Sequence, residues 1–204
     1  MFTPRYDCQS NAQTHYTENQ STITGDCSFW SKLTEAIHTM EIYTRLYKKL
    51  TRLIPHLEEH LAKGTESGTS TTAGFMDLHF DNLGKDTTGA YQIALAQYHE
   101  MNGDRVPDPD MQVRVNTELK TAEALTFQNI YLYQQVYEEV EGKHYVNVTL
   151  KKQLNDFLDI WLSNAINQNH RIVLPQIDEQ EIERLREVMK ERSKGNENNQ
   201  RTER

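Results

Sequence analysis

Two stretches of this sequence carry side chains that could do chemistry. The first is His56-Leu57-Glu58-Glu59-His60, an H-x-x-E-H pattern. On a helix, histidines four apart share one face and both reach a single Zn2+, while a glutamate beside them is placed to deprotonate a metal-bound water. His56 and His60 are therefore candidate metal ligands and Glu59 a candidate base of a metal-dependent hydrolase. Against that reading, the motif occupies a short segment between Pro55 and Gly64, and spacing assigns no third ligand. Exposed residues on a charged helix produce the same string.

The second stretch is acidic: Glu100, Asp104, Asp108 and Asp110, with His99 just before it. Oxygen-rich loops hold Ca2+ or Mg2+, but D-R-V-P-D-P-D has neither the regular ligand order of a calcium loop nor the glutamate that closes one. Asp before Pro also begins ordinary turns. A rigid acidic turn is the simpler reading. No G-x-S-x-G elbow, Walker loop or G-x-G-x-x-G is present. Cys8 and Cys27 lie in a polar stretch with nothing to lower a thiol pKa. No cofactor is expected.

Elements that would position these groups follow from hydropathy. Leu33, Ile37, Met40, Tyr43, Tyr47, Leu50, Ile54 and Leu57 fall at helical spacing, and Pro55 splits the run into a long helix to about Ile54 and a short one ended by Gly64. Residues 64–73, rich in Gly, Ser and Thr, read as a flexible connection. Met76, Leu78 and Phe80 then alternate with Asp77, His79 and Asp81, the period of a half-buried strand. Tyr91 to Tyr98 predicts a second strand, residues 101–110 a long loop broken by Pro107 and Pro109, and Met111 to Val115 a third strand. Residues 119–139 predict a short helix and a fourth strand. Leu150 to Ala165 forms a broad apolar helical face, capped by Asn147 or Thr149. Asp178 and Glu181 suggest a capping box before a last amphipathic helix.

The expected fold is α+β: an antiparallel three- to four-stranded sheet packed by an N-terminal and a C-terminal helix, with a further amphipathic C-terminal helix and polar tails. In domain terms this reads as a disordered arm over 1–27, one domain over 28–170, a C-terminal helix over 171–193 and a disordered tail over 194–204.

The formal charge is −8, and residues 76–141 alone hold twelve acidic against four basic side chains. Such a region repels phosphate and suits a basic partner. Arg45, Lys48, Lys49 and Arg52 cluster on one helical face, which a solvated amphipathic helix explains without RNA. Tyr133 and Tyr137, with Tyr131, offer contact area at low entropic cost. No run of eighteen apolar residues spans a membrane, and the first twenty residues lack a charged-then-apolar leader, so a cytoplasmic protein is expected.

MDLHFDNLG, IALAQYHEMNGDRVPDPDMQVRV, ALTFQNIYLYQQVY and LNDFLDIWL, about residues 75–168, resemble an uncharacterised bacterial family. That family also occurs on plasmids, phages and other mobile elements and is related to the YqiB-like proteins of unknown function. The likeness is strongest at Asn102-Gly103-Asp104, at Asp108-Pro109-Asp110-Met111 and from Tyr133 to Tyr137. It implies a compact α+β domain with no established activity, and no catalytic residue carries over. The expected function is that of a small acidic, non-enzymatic interaction protein, an accessory or host-interference factor of a mobile element. It would act on a basic protein surface through Glu100, Asp104, Asp108, Asp110, Tyr133 and Tyr137. Metal-dependent hydrolysis is the alternative.

Overall fold

The computed structural model describes the backbone of residues 14–18, 21–25, 27–175 and 178–202, and side chains of residues 40–175, 178 and 180–191. The chain divides into two compact units, Met1–Glu41 and Ile42–Arg204. In the first, β1 (Thr14–Glu18) and β2 (Ser21–Gly25) pair antiparallel, with Tyr16 opposite Ile23. The remainder of the arm expected over 1–27 lies outside the described residues, apart from Cys27 at the start of α1 (Cys27–Leu53). That helix begins in the first unit and ends in the second, where Pro55 stops it. His56 takes a left-handed φ of 56° before α2 (Leu57–Lys63), and Gly64, at φ 79°, closes that helix, as expected of a glycine at this position.

The second unit contains an antiparallel sheet of seven strands. They are β3 (Ser67–Ser70), β4 (Leu78–Lys85), β5 (Tyr91–Met101), β6 (Asp104–Asn116), β7 (Thr121–Ala124), β8 (Thr126–Gln128) and β9 (Tyr133–Gln135). The order is β3-β4-β5-β6-β8-β9, with β7 also on β6. β10 (Tyr137–Val140) and β11 (Lys143–Val146) form a separate, exposed hairpin. Then come α3 (Val148–Asn167) and α4 (Glu179–Thr202). The chain is thus α+β, with a helix before the sheet, one after it and a further C-terminal helix. Asn147 caps α3, its side-chain oxygen accepting from Leu150 N at 3.0 Å.

One sheet face is apolar. Leu78, Phe80, Ile93, Leu95, Met111, Val113, Val115, Ala122 and Ala124 join Leu46, Leu50 and Leu53 of α1 and Leu154, Leu158 and Leu162 of α3 in one core. Each such leucine contributes roughly 1.5–3 kcal/mol by leaving water. Trp161 donates from Nε1 to Gln97 Oε1 at 2.9 Å, which draws the polar Gln97 into this layer. α4 meets α2, where Arg186 pairs with Glu59 at 3.0 Å, and Glu181 N donates to Asp178 Oδ1 at 2.7 Å as the capping pattern implied.

Three segments depart from the expectations. The connection over 64–73 contains β3, which pairs with β4; Gly68 permits this because a Cβ there would stand 2.3 Å from Leu174 Cδ2. The loop over 101–110 is instead a hairpin end, turning through Asn102 (φ 54°) and Gly103 (φ 88°), with Pro107 paired opposite Tyr98. No helix forms in 119–139. Lys120, at φ 54°, completes a turn that Asn116 Oδ1 holds by accepting from Glu118 N and Leu119 N, and β7, β8 and β9 follow. α4 runs to Thr202, through most of the expected tail.

Candidate functional site

Residues directly opposite each other in a sheet share a face. Successive partners Thr69, His79, Ala96, Asp110, Gln128 and Tyr133 therefore make one row across six strands, on the face away from the core. Asp81, Ala94 and Gln112 form the neighbouring row. Ala94 and Ala96 stand at the centre of these rows, with polar side chains on both sides of them.

A β-bulge decides what that rim contains. Ala96 pairs with Asp110, but Tyr98 pairs with Pro107, so β6 carries one residue more than β5 across this step. Side chains alternate with period two, and one extra residue reverses the facing of everything beyond it. Without the insertion Arg105 would fall opposite Met101 and point away. With it, Arg105 stands opposite Glu100 and joins His79 and Tyr98 on the outer face.

These groups border an open, solvent-facing pocket of about 320 Å3 lined by Ser67, Gly68, Thr69, His79, Phe80, Asp81, Tyr98 and Arg105. Arg105 stacks on the Tyr98 ring at 4.7 Å and donates from Nη2 to His79 Nε2 at 3.2 Å. An arginine only donates, so His79 carries its proton on Nδ1 and gives it to Thr69 Oγ1, 3.2 Å away. Both ring nitrogens are thereby committed, and the imidazole does not activate the Thr69 hydroxyl. Beside the cavity, Tyr98 hydrogen-bonds the half-buried Asp110. Burial pushes the Asp110 carboxyl above its ordinary pKa, and the Asp81 charge adds to the rise over the opposing pull of Tyr98. Burial likewise raises the Tyr98 hydroxyl. Asp81 itself has no hydrogen bond or ion pair from its carboxylate among the described residues, and Arg105 no carboxylate partner.

The sequence candidates separate into groups. Glu100, Asp104 and Asp108 stand exposed at the β5–β6 tip, where His99 Nδ1 lies 3.7 Å from Asp108 Oδ2. Asp110 is in the sheet row, and Tyr133 ends that row. Because β8 runs antiparallel to β6, the turn of residues 129–132 between β8 and β9 lies toward the same end as the acidic tip, and Tyr131 is 89% exposed there. Tyr137 sits elsewhere. Its hydroxyl lies 2.5 Å from Lys151 Nζ and 3.1 Å from Glu123 Oε2, and Arg114 reaches Glu123 at 2.6 Å and Asp86 at 2.7 Å. This network ties the hairpin β10–β11 to β6, β7 and α3. Despite burial, which favours the neutral amine, Glu123 and Tyr137 hold the Lys151 ammonium well above its usual range.

His56, Glu59 and His60 do not converge as a helical pair of ligands would. His56 lies before α2 in the left-handed region, Glu59 is engaged by Arg186, and His60 Nδ1 is 3.0 Å from Thr65 Oγ1. Burial lowers the His60 pKa, aided by His56. His56 and His60 do line a cleft of about 920 Å3 with Arg171, Asp178 and Arg186. Among the described residues, no three His, Cys, Asp or Glu side chains are grouped to hold a metal ion. The basic cluster on α1 is divided too: Arg45 and Lys49 both bind Asp159 of α3, at 3.0 and 2.6 Å, leaving Lys48 and Arg52 exposed.

His79, Asp81, Tyr98 and Arg105 were absent from the sequence candidates. The alternation in MDLHFD already put His79 and Asp81 opposite the core, but nothing in the string announced the bulge that adds Arg105. No described helix is long and apolar enough to cross a membrane. A family model described as a domain of unknown function (DUF6908) matches residues 43–171. Neither a curated protein nor a solved structure matches the chain.

Proposed function

We propose that this chain, which belongs to the DUF6908 family, is a non-enzymatic interaction module that holds a basic protein surface against one end of its sheet. The observation that carries this reading is that strand direction carries exposed Glu100, Asp104 and Asp108 and the exposed Ile130, Tyr131, Leu132 and Tyr133 toward the same end of the sheet. Aromatic anchors beside a charged rim are what protein interfaces concentrate. The carboxylates steer a cationic partner, and the tyrosines supply contact area once it arrives. Nucleic acid suits this end poorly, since carboxylates repel phosphate. The resemblance of residues 75–168 extends this reading to an accessory or host-interference factor of a mobile element.

The test uses the full chain as bait in a lysate of its natural host, at low and high salt. A bound protein that leaves as salt rises, and is lost from an Asp104→Lys, Asp108→Lys double variant and from Tyr131→Ser, is the expected result. Absence of a salt-sensitive partner, or equal retention by the variants, overturns the reading.

A further inference from the structure

The cavity beside β3 holds two opposite charges that ignore each other. Asp81 and Arg105 both line it, yet they are not within ion-pair distance, and neither has another counter-charge among the described residues. Oppositely charged groups facing one space, each lacking a partner, are complementary to a molecule that carries both charges itself. We propose that this cavity binds a small zwitterion, a free α-amino acid, with the ligand carboxylate on Arg105 and the ligand ammonium on Asp81.

Geometry supports each half. The guanidinium is fixed on the Tyr98 ring and spends one donor on His79, so further N–H groups remain to receive a carboxylate as a fork. The Thr69 hydroxyl, opposite His79 at the Arg105 end, borders the same space and can donate to that carboxylate. Asp81 offers acceptor oxygens only, as an ammonium requires. A volume of about 320 Å3 accommodates a small polar molecule. The bulge is a second, independent pointer. The fold interrupts its longest strand pair at Tyr98, and the consequence is that Arg105 reaches this cavity rather than the opposite face. Irregularities of this kind gather beside binding sites because they re-aim a side chain.

This site adjoins the acidic tip, Arg105 standing opposite Glu100, but shares no residue with it, and a small-molecule titration and a protein capture let the two proposals fail separately. The experiment titrates each of the twenty free amino acids, and acetate and methylamine as half-ligands, into the full chain, following backbone amide shifts by NMR. We expect at least one amino acid to saturate at or below about 10 mM, shifting Thr69, His79 and Arg105, with either half-ligand at least about tenfold weaker. Arg105→Gln and Asp81→Asn should each weaken binding at least about tenfold, Arg105→Lys should restore part of it, and Lys152→Gln, exposed on α3 against the other sheet face, should leave it unchanged. Saturation by no amino acid, half-ligands as strong as the whole, or unchanged binding in Arg105→Gln overturns the proposal. Both substituted side chains are solvent-facing, and the amide spectrum itself reports whether each variant is folded.

Discussion

Arg105 Nη2 reaches His79 Nε2 over 3.2 Å even though an entire strand, β5, separates theirs. The guanidinium crosses above Tyr98 to do so, and it determines where the imidazole keeps its proton. With neutral His79, nitrogen NMR of the ring should show the Nδ1–H tautomer in the native chain. Arg105→Met removes the donor and frees Nε2 to take the proton, so the spectrum should move towards the Nε2–H form. Identical ring spectra in the two proteins would show that the contact does not govern the tautomer.

Two aspartates should respond to pH with opposite sign. Burial raises the folded pKa of Asp110, with Asp81 adding to it, so its contribution to stability is complete below the unfolded value of about 3.9 and is lost as pH rises through the folded value. Asp110→Asn should therefore stabilise the chain at pH 7 and bring no gain at pH 3. Asp159 is also pushed up by burial, but Lys49 and Arg45 outweigh that and hold it low. Its contribution is present above the unfolded pKa and disappears as pH falls through the folded one. Asp159→Asn should cost about 1 kcal/mol at pH 7, a penalty that fades on acidification. Urea midpoints at both pH values check each sign.

How much of this was legible depended on period and length. The central strands announced themselves because Leu78 and Phe80, Ile93 and Leu95, Met111 and Val113 alternate over several residues. β7, β8 and β9 are three or four residues long, too short for alternation to outvote the helical spacing of Leu119, Ala122 and Leu125. Pro107 and Pro109 argued for a loop, whereas the bulge absorbs them within β6. The same bulge explains the incomplete view of the cavity. Asp110 was visible as an acid, but the facing of Arg105 depends on a register shift that no local composition records. β3 was hidden for another reason: Ser67 to Ser70 looks like linker, and only its neighbours Ile172 and Leu174 give Gly68 a purpose.

Asn155 should prove costly to replace with an apolar side chain of similar size. It is 2% exposed, its Oδ1 accepts from Ala124 N at 2.9 Å, and its Nδ2 donates to Lys151 O at 2.7 Å. Asn155→Leu strands a buried N–H on β7, a loss of about 1–3 kcal/mol. Urea unfolding should register this as a lower midpoint with little change in slope. A midpoint within error of the native one would show that β7 finds another acceptor.

Gly68→Ala tests how the chain after α3 is held to the sheet edge. The added Cβ would meet Leu174 Cδ2 at 2.3 Å, Ile172 Cγ2 at 3.0 Å and the Val173 carbonyl oxygen at 3.0 Å. Two of these are side-chain ends that rotate, but the third is backbone, and Val173 N donates to Thr69 O at 3.3 Å beside it. Relief therefore requires the 171–175 segment to move off β3. We expect a loss of about 1–3 kcal/mol, the usual cost of overpacking, with hydrogen exchange accelerating at Val173 and Ile172 ahead of β5 and β6. Because Ile172 N donates to Leu53 O at the end of α1, that release should spread to the last turn of α1 before it reaches the central strands. Uniform acceleration across the sheet would instead mean that this edge unfolds only with the whole unit.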